Sequence, residues 1–261
     1  MEARLFQLAS FTAARFAGNP AAVMLFDSDP ATALCQALAA ENNLAETAFL
    51  VPQGEDFRIR WFTPAVEVPL CGHATLASAA VVLERLTPWR TQVVFHSASG
   101  PLTVRRSDIG YVMDFPVRRC APGAAPEGLA DALGATPEEV EWDGFNFVAR
   151  LASADEVRRL DPDIAAIARL PAAGVIVTAA GDGDYDCVSR YFAPARGIPE
   201  DPVTGGAHCA LTPFWAERLG KTALHAFQAS PRGGEMWCRL RGDRVDLEGA
   251  CLFYLEGVAR W

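Results

Sequence analysis

The sequence predicts an α+β fold built from two similar halves, each with several strands around one buried helix. Residues 60–75 combine a strand, a proline-bounded loop, a Gly-His turn and the start of an apolar helix, and a similar stretch recurs at 190–208. Both helices are apolar on nearly every side, which is typical of a helix enclosed by a curled sheet. The sequence therefore indicates an internal duplication.

The first half shows strand signals and two helices. Strands are predicted near residues 4–9, 22–26, 44–51, 57–62, 93–95, 102–104 and 111–115, with the clearest alternation at 57–62. Asp29 and Pro30 suit the cap and first turn of a helix that ends at Asn42 and Asn43. The central helix is expected from Ala74 to about residue 85.

A segment rich in Pro, Ala and Gly at 116–126 indicates the linker to the second half. Short helices are expected near 127–133, 154–159 and 162–168, and a central helix ends near Leu219. Strands are predicted near residues 145–151, 174–178, 186–192, 224–228, 235–241, 244–248 and 251–255. The expected lobes are 1–116 and 117–250, with the option that the last strand, within 251–261, returns to the first lobe.

The spacing of the two copies supports the duplication. Arg60 and Arg190 lie 130 residues apart, and Gly72 and Gly206 lie 134 apart, so the second copy is expected to be about four residues longer.

Composition excludes several classes of protein. The chain has 261 residues, a formal charge of −9 and a pI near 5.0, whereas nucleic-acid binding needs a basic face and anionic membranes attract basic segments. Seven cysteines, an odd number without a CxxC pair, indicate reduced thiols. No leader-like segment or apolar run of about 20 residues is present, so we expect a cytoplasmic protein without a membrane partner.

Glu46 is the first candidate for chemistry. It precedes a strongly apolar run, and a carboxylate in apolar surroundings tends to have a raised pKa that suits proton transfer near neutral pH. The alternative is an ordinary carboxylate at a strand edge or in a cap, exposed to solvent as most glutamates are.

Cys71 and His73 form the second candidate, either as a nucleophile pair or as metal ligands together with His208 and Cys209. Alternate residues around a glycine make a poor hydrogen-bonded pair, and the spacing matches no known zinc site, so no metal is predicted. His73 could instead cap its helix.

Three glycines and one aspartate complete the candidates. Gly72, Gly205 and Gly206 would let backbone N–H groups approach an anion, or would simply form tight turns. Asp201 could orient a polar group of a substrate, or could belong to an Asp-Pro turn.

Four ordered motifs resemble the PhzF family, the phenazine-biosynthesis-like isomerases. They are FAGNPAAV at 16–23, NLAETAF at 43–49, RWFTP at 60–64 with CGHAT at 71–75, and EDPVTG at 200–205. The resemblance covers nearly the whole chain. It implies a diaminopimelate-epimerase-like fold of two pseudo-symmetric lobes, each a β-barrel around a central helix, with the site in the cleft between them, and it implies a homodimer.

The resemblance also implies roles for residues. Glu46 falls on the acid/base glutamate, which works without a cofactor, and His73 and Asp201 fall on positions that hold polar groups and assist proton transfer. Two helix starts would hold a substrate carboxylate. The substrate-binding residues expected on this basis are Asn19, Cys71, Gly72, Ala74, Thr204, Gly205 and Gly206.

Two departures from related patterns bear on the substrate. The best-known member, which isomerises trans-2,3-dihydro-3-hydroxyanthranilate, has a serine at the position of Gly206, so a hydroxyl contact is missing here. Related racemases use two cysteines, whereas this chain has Cys71 at the first position and Thr204 at the second. A threonine hydroxyl cannot replace a thiol with a pKa of about 8.5 as a base.

The expected function is a cofactor-independent isomerase that moves a proton on a small carboxylic acid, with Glu46 as acid and base. Two alternatives stay open. One is an amino-acid-type epimerase or racemase that uses Cys71, and the other is an inactive binding or scaffold protein that has kept the fold.

Overall fold

The structure is a computed structural model that describes residues 1–261. The chain divides into two compact units. The first unit consists of Met1–Asp114 and Glu248–Trp261, and the second is the continuous segment Phe115–Leu247.

Strands dominate both units. In chain order they are β1 Glu2–Ser10, β2 Asn19–Leu25, β3 Glu46–Gln53, β4 Asp56–Phe62, β5 Glu67–Val68, β6 Gln92–Ser97, β7 Gly100–Arg106, β8 Tyr111–Pro116, β9 Ala121–Pro122, β10 Glu139–Trp142, β11 Asn146–Arg150, β12 Gly174–Ala180, β13 Cys187–Ala193, β14 Ile198–Asp201, β15 Ala223–Gln228, β16 Gly234–Arg241, β17 Arg244–Gly249 and β18 Cys251–Arg260.

Six α-helices accompany the strands. They are α1 Thr32–Asn42, α2 Gly72–Val81, α3 Leu129–Leu133, α4 Ala154–Arg159, α5 Ile164–Ile167 and α6 Gly205–Leu219. A π-helical turn, Val82–Leu86, continues α2. The longest helix, α6, has 15 residues, and no helix has the length and apolar character needed to span a bilayer.

In the first unit the strands surround α2. β1 is antiparallel to β2, β2 is parallel to β3, β3 is antiparallel to β4, and β4 is parallel to β6. β6, β7 and β8 continue as antiparallel neighbours, while β5 pairs with the end of β4 and β18 pairs along the whole of β1. Helix α2 contacts strands all round the sheet, and residues 73–81 are all buried. The apolar character of this helix on every side is thereby explained.

The second unit repeats this strand order. β10 is antiparallel to β11, β11 is parallel to β12, β12 is antiparallel to β13, and β13 is parallel to β15. β14 pairs with the end of β13 as β5 pairs with β4, and β16 follows β15 as β7 follows β6. Helix α6 is buried from its first turn to Ala216. The predicted duplication is confirmed at the level of strand pairing.

An arginine–glutamate pair occurs at the same place in each copy. Arg60 donates from Nε and Nη2 to the two carboxylate oxygens of Glu67, each at 2.7 Å. Arg190 makes the same two bonds to Glu200, at 2.7 and 2.9 Å. Each pair joins the long strand to the short strand beside it, so it fixes the loop that leads to the central helix.

Helix α6 contains a proline whose effect is compensated by the linker. Pro213 has no N–H, so the carbonyl of Cys209, four residues earlier, loses its helical partner. The backbone N–H of Arg118 donates to that carbonyl at 3.0 Å. The proline therefore creates an attachment point that holds Arg118 against α6.

Several element predictions were wrong in detail. Helix α1 begins at Thr32 and not at Pro30, and Asp29, expected to cap it, forms an ion pair with Arg58 instead. Helix α2 begins two residues earlier than predicted, at Gly72. The short strands β5, β9, β10 and β14 were not predicted, and β9 lies in the predicted linker.

The length difference between the copies is three residues and not four. Cys71 and Thr204 are the equivalent residues that precede the two central helices. Thr204 follows Arg190 by 14 residues, whereas Cys71 follows Arg60 by 11.

Candidate active site

The side chain of Glu46 is buried. Glu46 is the first residue of β3 and lies beside Ala21 of the parallel strand β2. Only 8% of the residue is exposed, so the solvated strand-edge carboxylate considered from the sequence is wrong. A buried carboxylate needs a polar or charged neighbour, because its desolvation is otherwise costly.

That neighbour is His73, the second residue of α2. Its Nε2 lies 3.2 Å from Glu46 Oε2, as an ion pair that is not aligned as a hydrogen bond. Its Nδ1 lies 3.2 Å from the side-chain nitrogen of Asn19 and 3.5 Å from the Cys71 sulfur. Nδ1 therefore faces Asn19 and Cys71, and Nε2 faces the Glu46 carboxylate. His73 is therefore a neighbour of the carboxylate and not a cap of its helix.

The charges in this cluster favour a protonated imidazole. Burial alone would lower the pKa of His73, but negative charge beside the ring outweighs burial and holds that pKa well above its ordinary value. Near neutral pH that charge is the Glu46 carboxylate. Burial, together with the Glu46 charge, raises the pKa of the Cys71 thiol. Cys71 is therefore a neutral thiol near neutral pH, and little thiolate is available to act as a base.

The same three groups are the only cluster in the structure with metal-ligand chemistry. One ligand atom from each of Glu46, Cys71 and His73 lies within 4.8 Å of the others. The imidazole lies between the other two, however, with Nδ1 toward the thiol and Nε2 toward the carboxylate. The two ring nitrogens thus face different neighbours, whereas the ligands of a zinc site converge on one point.

The start of α2 is held by side chains that are not caps. Cys71 precedes the helix but makes no side-chain capping bond. Ser10 donates to the carbonyl of His73 at 2.7 Å, and Thr75 donates to the carbonyl of Cys71 at 2.6 Å. The first N–H groups of a helix have no helical acceptor, and here they belong to Gly72, His73 and Ala74.

The start of α6 carries a different set of polar groups. Asp201 ends β14, Thr204 precedes α6 without capping it, and Gly205 and Gly206 are its first two residues. The Thr204 hydroxyl donates to Asp201 Oδ2 at 2.6 Å. The expectation of a simple Asp-Pro turn is therefore incomplete, because the carboxylate belongs to a side-chain network.

Arg118 and Asp143 lie at the same helix start but were not singled out in the sequence. Asp143 is buried, accepts from the N–H groups of Phe145 and Asn146, and lies 3.1 Å from Arg118 Nη1. Arg118 Nη2 lies 3.1 Å from where a Cβ on Gly206 would be. Arg118 lies in the predicted linker, so there was no reason in the sequence to select it. The one available signal was Pro213, which leaves a carbonyl of α6 in need of a partner from another segment.

The strand register shows which residues of the two units are equivalent. Thr47 pairs with Phe62 in the first unit, and Val175 pairs with Phe192 in the second. The positions of Glu46, Cys71, His73 and Val68 in the first unit thus correspond to Gly174, Thr204, Gly206 and Asp201 in the second.

The duplicated copies have therefore diverged in chemistry. The carboxylate–imidazole pair belongs to the first unit alone, whereas Asp201 and Arg118 belong to the second. Of the predicted site residues, the first unit contains Asn19, Glu46, Cys71, Gly72, His73 and Ala74, and the second contains Asp201, Thr204, Gly205 and Gly206.

Comparisons with known proteins agree with this architecture. Residues 8–257 match the family model for phenazine biosynthesis-like proteins, PhzC-PhzF. An uncharacterized isomerase from Pseudomonas aeruginosa is 48% identical over 260 residues, which cover 100% of this chain and 99% of that protein. A second uncharacterized isomerase from the same organism is 46% identical over 259 residues and is covered to 99%, as is this chain.

Solved structures give the same result. A phenazine biosynthesis protein of the PhzF family from Enterococcus faecalis is 39% identical, with a TM-score of 0.97 and 100% of both chains covered. A hydroxyproline epimerase from Agrobacterium vitis, 12% identical with a TM-score of 0.62 over 98% of this chain and 92% of that one, shares the fold. The predicted α+β, epimerase-like fold is confirmed, and the chain belongs to the phenazine biosynthesis-like PhzC-PhzF family.

Proposed function

We propose that this protein is a cofactor-independent isomerase that moves a proton on a small carboxylic acid, with Glu46 as the acid and base. The observation that carries the proposal is a buried carboxylate whose Oε2 lies 3.2 Å from the imidazole of His73, at the start of a buried helix. Relatives that are 48% and 46% identical are named as isomerases, which supports the reaction class.

The chemistry follows from the charges of the pair. An ionised Glu46 accepts a proton from carbon and returns it to another carbon of the same substrate. The imidazolium of His73 stabilises the carboxylate in one position and can share its proton. Proton transfer by a well-placed group accelerates a reaction by about 10²–10⁴.

The substrate carboxylate would bind at helix starts, where N–H groups and the helix dipole favour an anion. The starts of α2 and α6 are the candidates, since neither has a side-chain cap. We include Asp201 as a group that holds a polar part of the substrate. The resemblance to the family suggests that both lobes serve one substrate in the cleft between them, and this remains part of the proposal.

The test is exchange of carbon-bound hydrogen in D₂O. A panel of small 2-amino, 2-hydroxy and unsaturated ring carboxylic acids is incubated with the wild-type protein, and exchange is followed by proton NMR. We expect exchange on at least one acid, a loss of about 10²–10⁴ in rate for Glu46→Gln, and no change for Glu41→Gln, an exposed carboxylate on α1.

Two outcomes would contradict the proposal. Undiminished exchange in Glu46→Gln would remove the carboxylate from the mechanism. No exchange by the wild-type protein on any acid of the panel would favour the inactive binding or scaffold protein instead.

The second candidate is an epimerase or racemase that uses Cys71, which is supported by the 3.5 Å distance from its sulfur to His73 Nδ1. The raised pKa of the Cys71 thiol, and the presence of Thr204 at the equivalent position of the second unit, argue against two-thiol chemistry. We expect Cys71→Ser to keep exchange within about tenfold of wild type. A loss as large as that of Glu46→Gln would favour the epimerase.

We also propose a homodimer that works in the cytoplasm. The expected result of light scattering on the purified protein is a mass of twice the 28.1 kDa of one chain. A mass of 28.1 kDa across the concentration range would contradict the dimer.

A further inference from the structure

The side chain of Gln228 makes three hydrogen bonds to the segment that leads into α6. Gln228 is the last residue of β15 and is 1% exposed. Its Oε1 accepts from the N–H of Thr204 at 2.8 Å, and its Nε2 donates to the carbonyl of Asp201 at 2.7 Å and to Thr204 Oγ1 at 3.1 Å. Both ends of the amide are therefore engaged by one four-residue segment.

These bonds determine which atom donates and which accepts at every step of the hydrogen-bond network. The amide oxygen is identified by the Thr204 N–H that it accepts, so the other end is the nitrogen, which can only donate. The Thr204 hydroxyl must accept from that nitrogen, and its single proton then points to Asp201 Oδ2, 2.6 Å away. The chain runs from Gln228 through Thr204 to Asp201, and it ends on a carboxylate that accepts.

Thr204 gives up an ordinary stabilising role to make this contact. A threonine immediately before a helix usually accepts from an N–H of the first turn. Thr204 occupies that position at α6 but makes no such bond. Its hydroxyl donates to Asp201 and accepts from Gln228 instead.

An equivalent serine stabilises the loop before the central helix in each unit. Ser99 donates to the carbonyl of Pro69 at 2.8 Å, and Ser230 donates to the carbonyl of Pro202 at 2.8 Å, at equivalent positions of the two units. This serine braces both loops.

The amide chain, by contrast, is present only in the second unit. The residues equivalent to Asp201, Thr204 and Gln228 are Val68, Cys71 and Ser97, and the Ser97 hydroxyl donates to its own turn at Gly100. The network therefore accompanies the carboxylate and not the loop.

We infer that Gln228 is a positioning residue for Asp201, which it orients and keeps ionised through the hydroxyl of Thr204. This inference rests on the proposed function, in which Asp201 holds a polar group of the substrate. A hydrogen bond donated to a carboxylate stabilises its charged form, so the network should hold the pKa of Asp201 lower than it would otherwise be.

The test measures Asp201 itself and needs no substrate. The carboxyl carbon of Asp201 is followed by carbon-13 NMR against pH in the full-length wild type, Thr204→Val, Thr204→Ser, Gln228→Met and Ser230→Ala. We expect Thr204→Val and Gln228→Met to raise the Asp201 pKa by about one unit, the usual spread in folded proteins. Thr204→Ser, which keeps the hydroxyl, and Ser230→Ala, which removes only the shared brace, should titrate like wild type.

A merely structural Gln228 would lower stability without moving this titration. Identical Asp201 titrations in wild type, Thr204→Val and Gln228→Met would overturn the inference. If Gln228→Met does not fold, Thr204→Val decides, because it removes the same donor to the carboxylate while keeping the size of the side chain.

The exchange assay described above provides a second readout. Gln228→Met and Thr204→Val should slow exchange by about 100-fold through misplacement of Asp201, whereas Ser230→Ala should not slow it. The exchange assay tests the proposed reaction, and the Asp201 titration tests the role of Gln228 independently of it. No exchange by wild type would refute the proposed reaction, but the Asp201 titration would still decide the role of Gln228.

Discussion

At the scale of single residues, the proposed proton transfer depends on one pair of side chains. Glu46 comes from the start of a strand and His73 from the start of a helix, and both are buried with 3.2 Å between Oε2 and Nε2. In low-dielectric surroundings such a pair is strongly coupled. The raised pKa of His73 therefore links activity to pH.

The first prediction concerns that link. The imidazolium is present below its raised pKa and is lost as pH rises through it, so we expect the exchange rate to fall at alkaline pH. His73→Asn should lower the rate by about 10²–10⁴ and should remove this alkaline decline. The measurement is the pH profile of exchange for both proteins. An alkaline decline that survives in His73→Asn would assign it to another group.

The raised pKa of His73 also makes the stability of the folded protein depend on pH. The folded pKa of His73 lies above its ordinary value of 6.5, so the charged pair contributes its full stability below that value and loses it as pH rises through the raised pKa. The free energy of unfolding of wild type relative to His73→Asn should therefore decrease toward alkaline pH.

The second prediction uses the two glycines of the second unit that correspond to Glu46 and His73, namely Gly174 and Gly206. A side chain at Gly206 would meet only the flexible end of Arg118, at 3.1 Å, so Gly206→Ser should cost less than about 1 kcal/mol. A Cβ at Gly174 would lie 2.6 Å from the backbone oxygen of Phe192, so Gly174→Ala should cost about 1–3 kcal/mol. Urea unfolding measures both, and equal costs would contradict this interpretation.

Residue-scale features differ in how far the sequence reveals them. Glu46, Cys71 and His73 stand in motifs that drew attention, but their mutual distances depend on tertiary structure. Gln228 lies in an ordinary alternating strand, and no local pattern distinguishes a glutamine that bonds a distant loop from one that faces water. Long-range side-chain bonds to backbone have no short-range signature.

At the scale of elements, the two units contain equivalent arginine–glutamate ion pairs that differ in burial. The side chains of Arg190 and Glu200 are 9% and 16% exposed, whereas those of Arg60 and Glu67 are 19% and 39% exposed. Removing one partner of a buried pair leaves the other charge without compensation, and the cost rises with burial.

The third prediction follows from this difference. Glu200→Gln should lower the free energy of unfolding by about 3 kcal/mol, because Arg190 stays buried. Glu67→Gln should lower it by about 1 kcal/mol, because water can reach Arg60. The two variants are matched controls for each other in urea unfolding. A larger loss for Glu67→Gln would show that burial does not set the cost.

The elements that the sequence did not predict have physical explanations. β10 contains two glutamates in four residues, which disfavours a strand in isolation, but Arg150 and Arg218 pair with Glu139 in the folded unit. Helix α1 starts later than expected, and Asp29, which could have capped it, pairs with Arg58 instead. In both cases a charged residue distant in sequence overrides the local preference.

At the scale of the whole molecule, the first unit is completed by the last residues of the chain. β18 pairs along the whole of β1, and Phe253 packs on Phe6. The terminal Trp261 packs on Phe26. The first unit therefore combines two segments that are distant in sequence, whereas the second unit is continuous.

The fourth prediction concerns truncation after Ala250. β1 should lose one of its two hydrogen-bonded neighbours, so amides of β1 and α2 should exchange with solvent faster, while those of α6 should keep their protection. Trp261→Ala, which keeps the strand, is the control. Unchanged protection of β1 in the truncated chain would show that β18 is dispensable.

The general architecture could be anticipated because two signals were strong. The all-round apolar helices required enclosure, and the repeated arginine-strand and glycine-turn pattern required a duplicated unit. The division of chemistry between the copies could not be read in this way. It depends on the register that makes Gly174 the counterpart of Glu46, and register is set by the strand pairing of the folded units.

The most direct test of the central claim is a crystal structure of the Glu46→Gln variant with an exchangeable acid bound, since this variant should bind the acid without consuming it. The account predicts that the side chain at position 46 lies about 3–3.5 Å from the carbon that loses its hydrogen, with the acid's carboxylate at a helix start. An acid bound with that carbon out of reach of position 46 would contradict it.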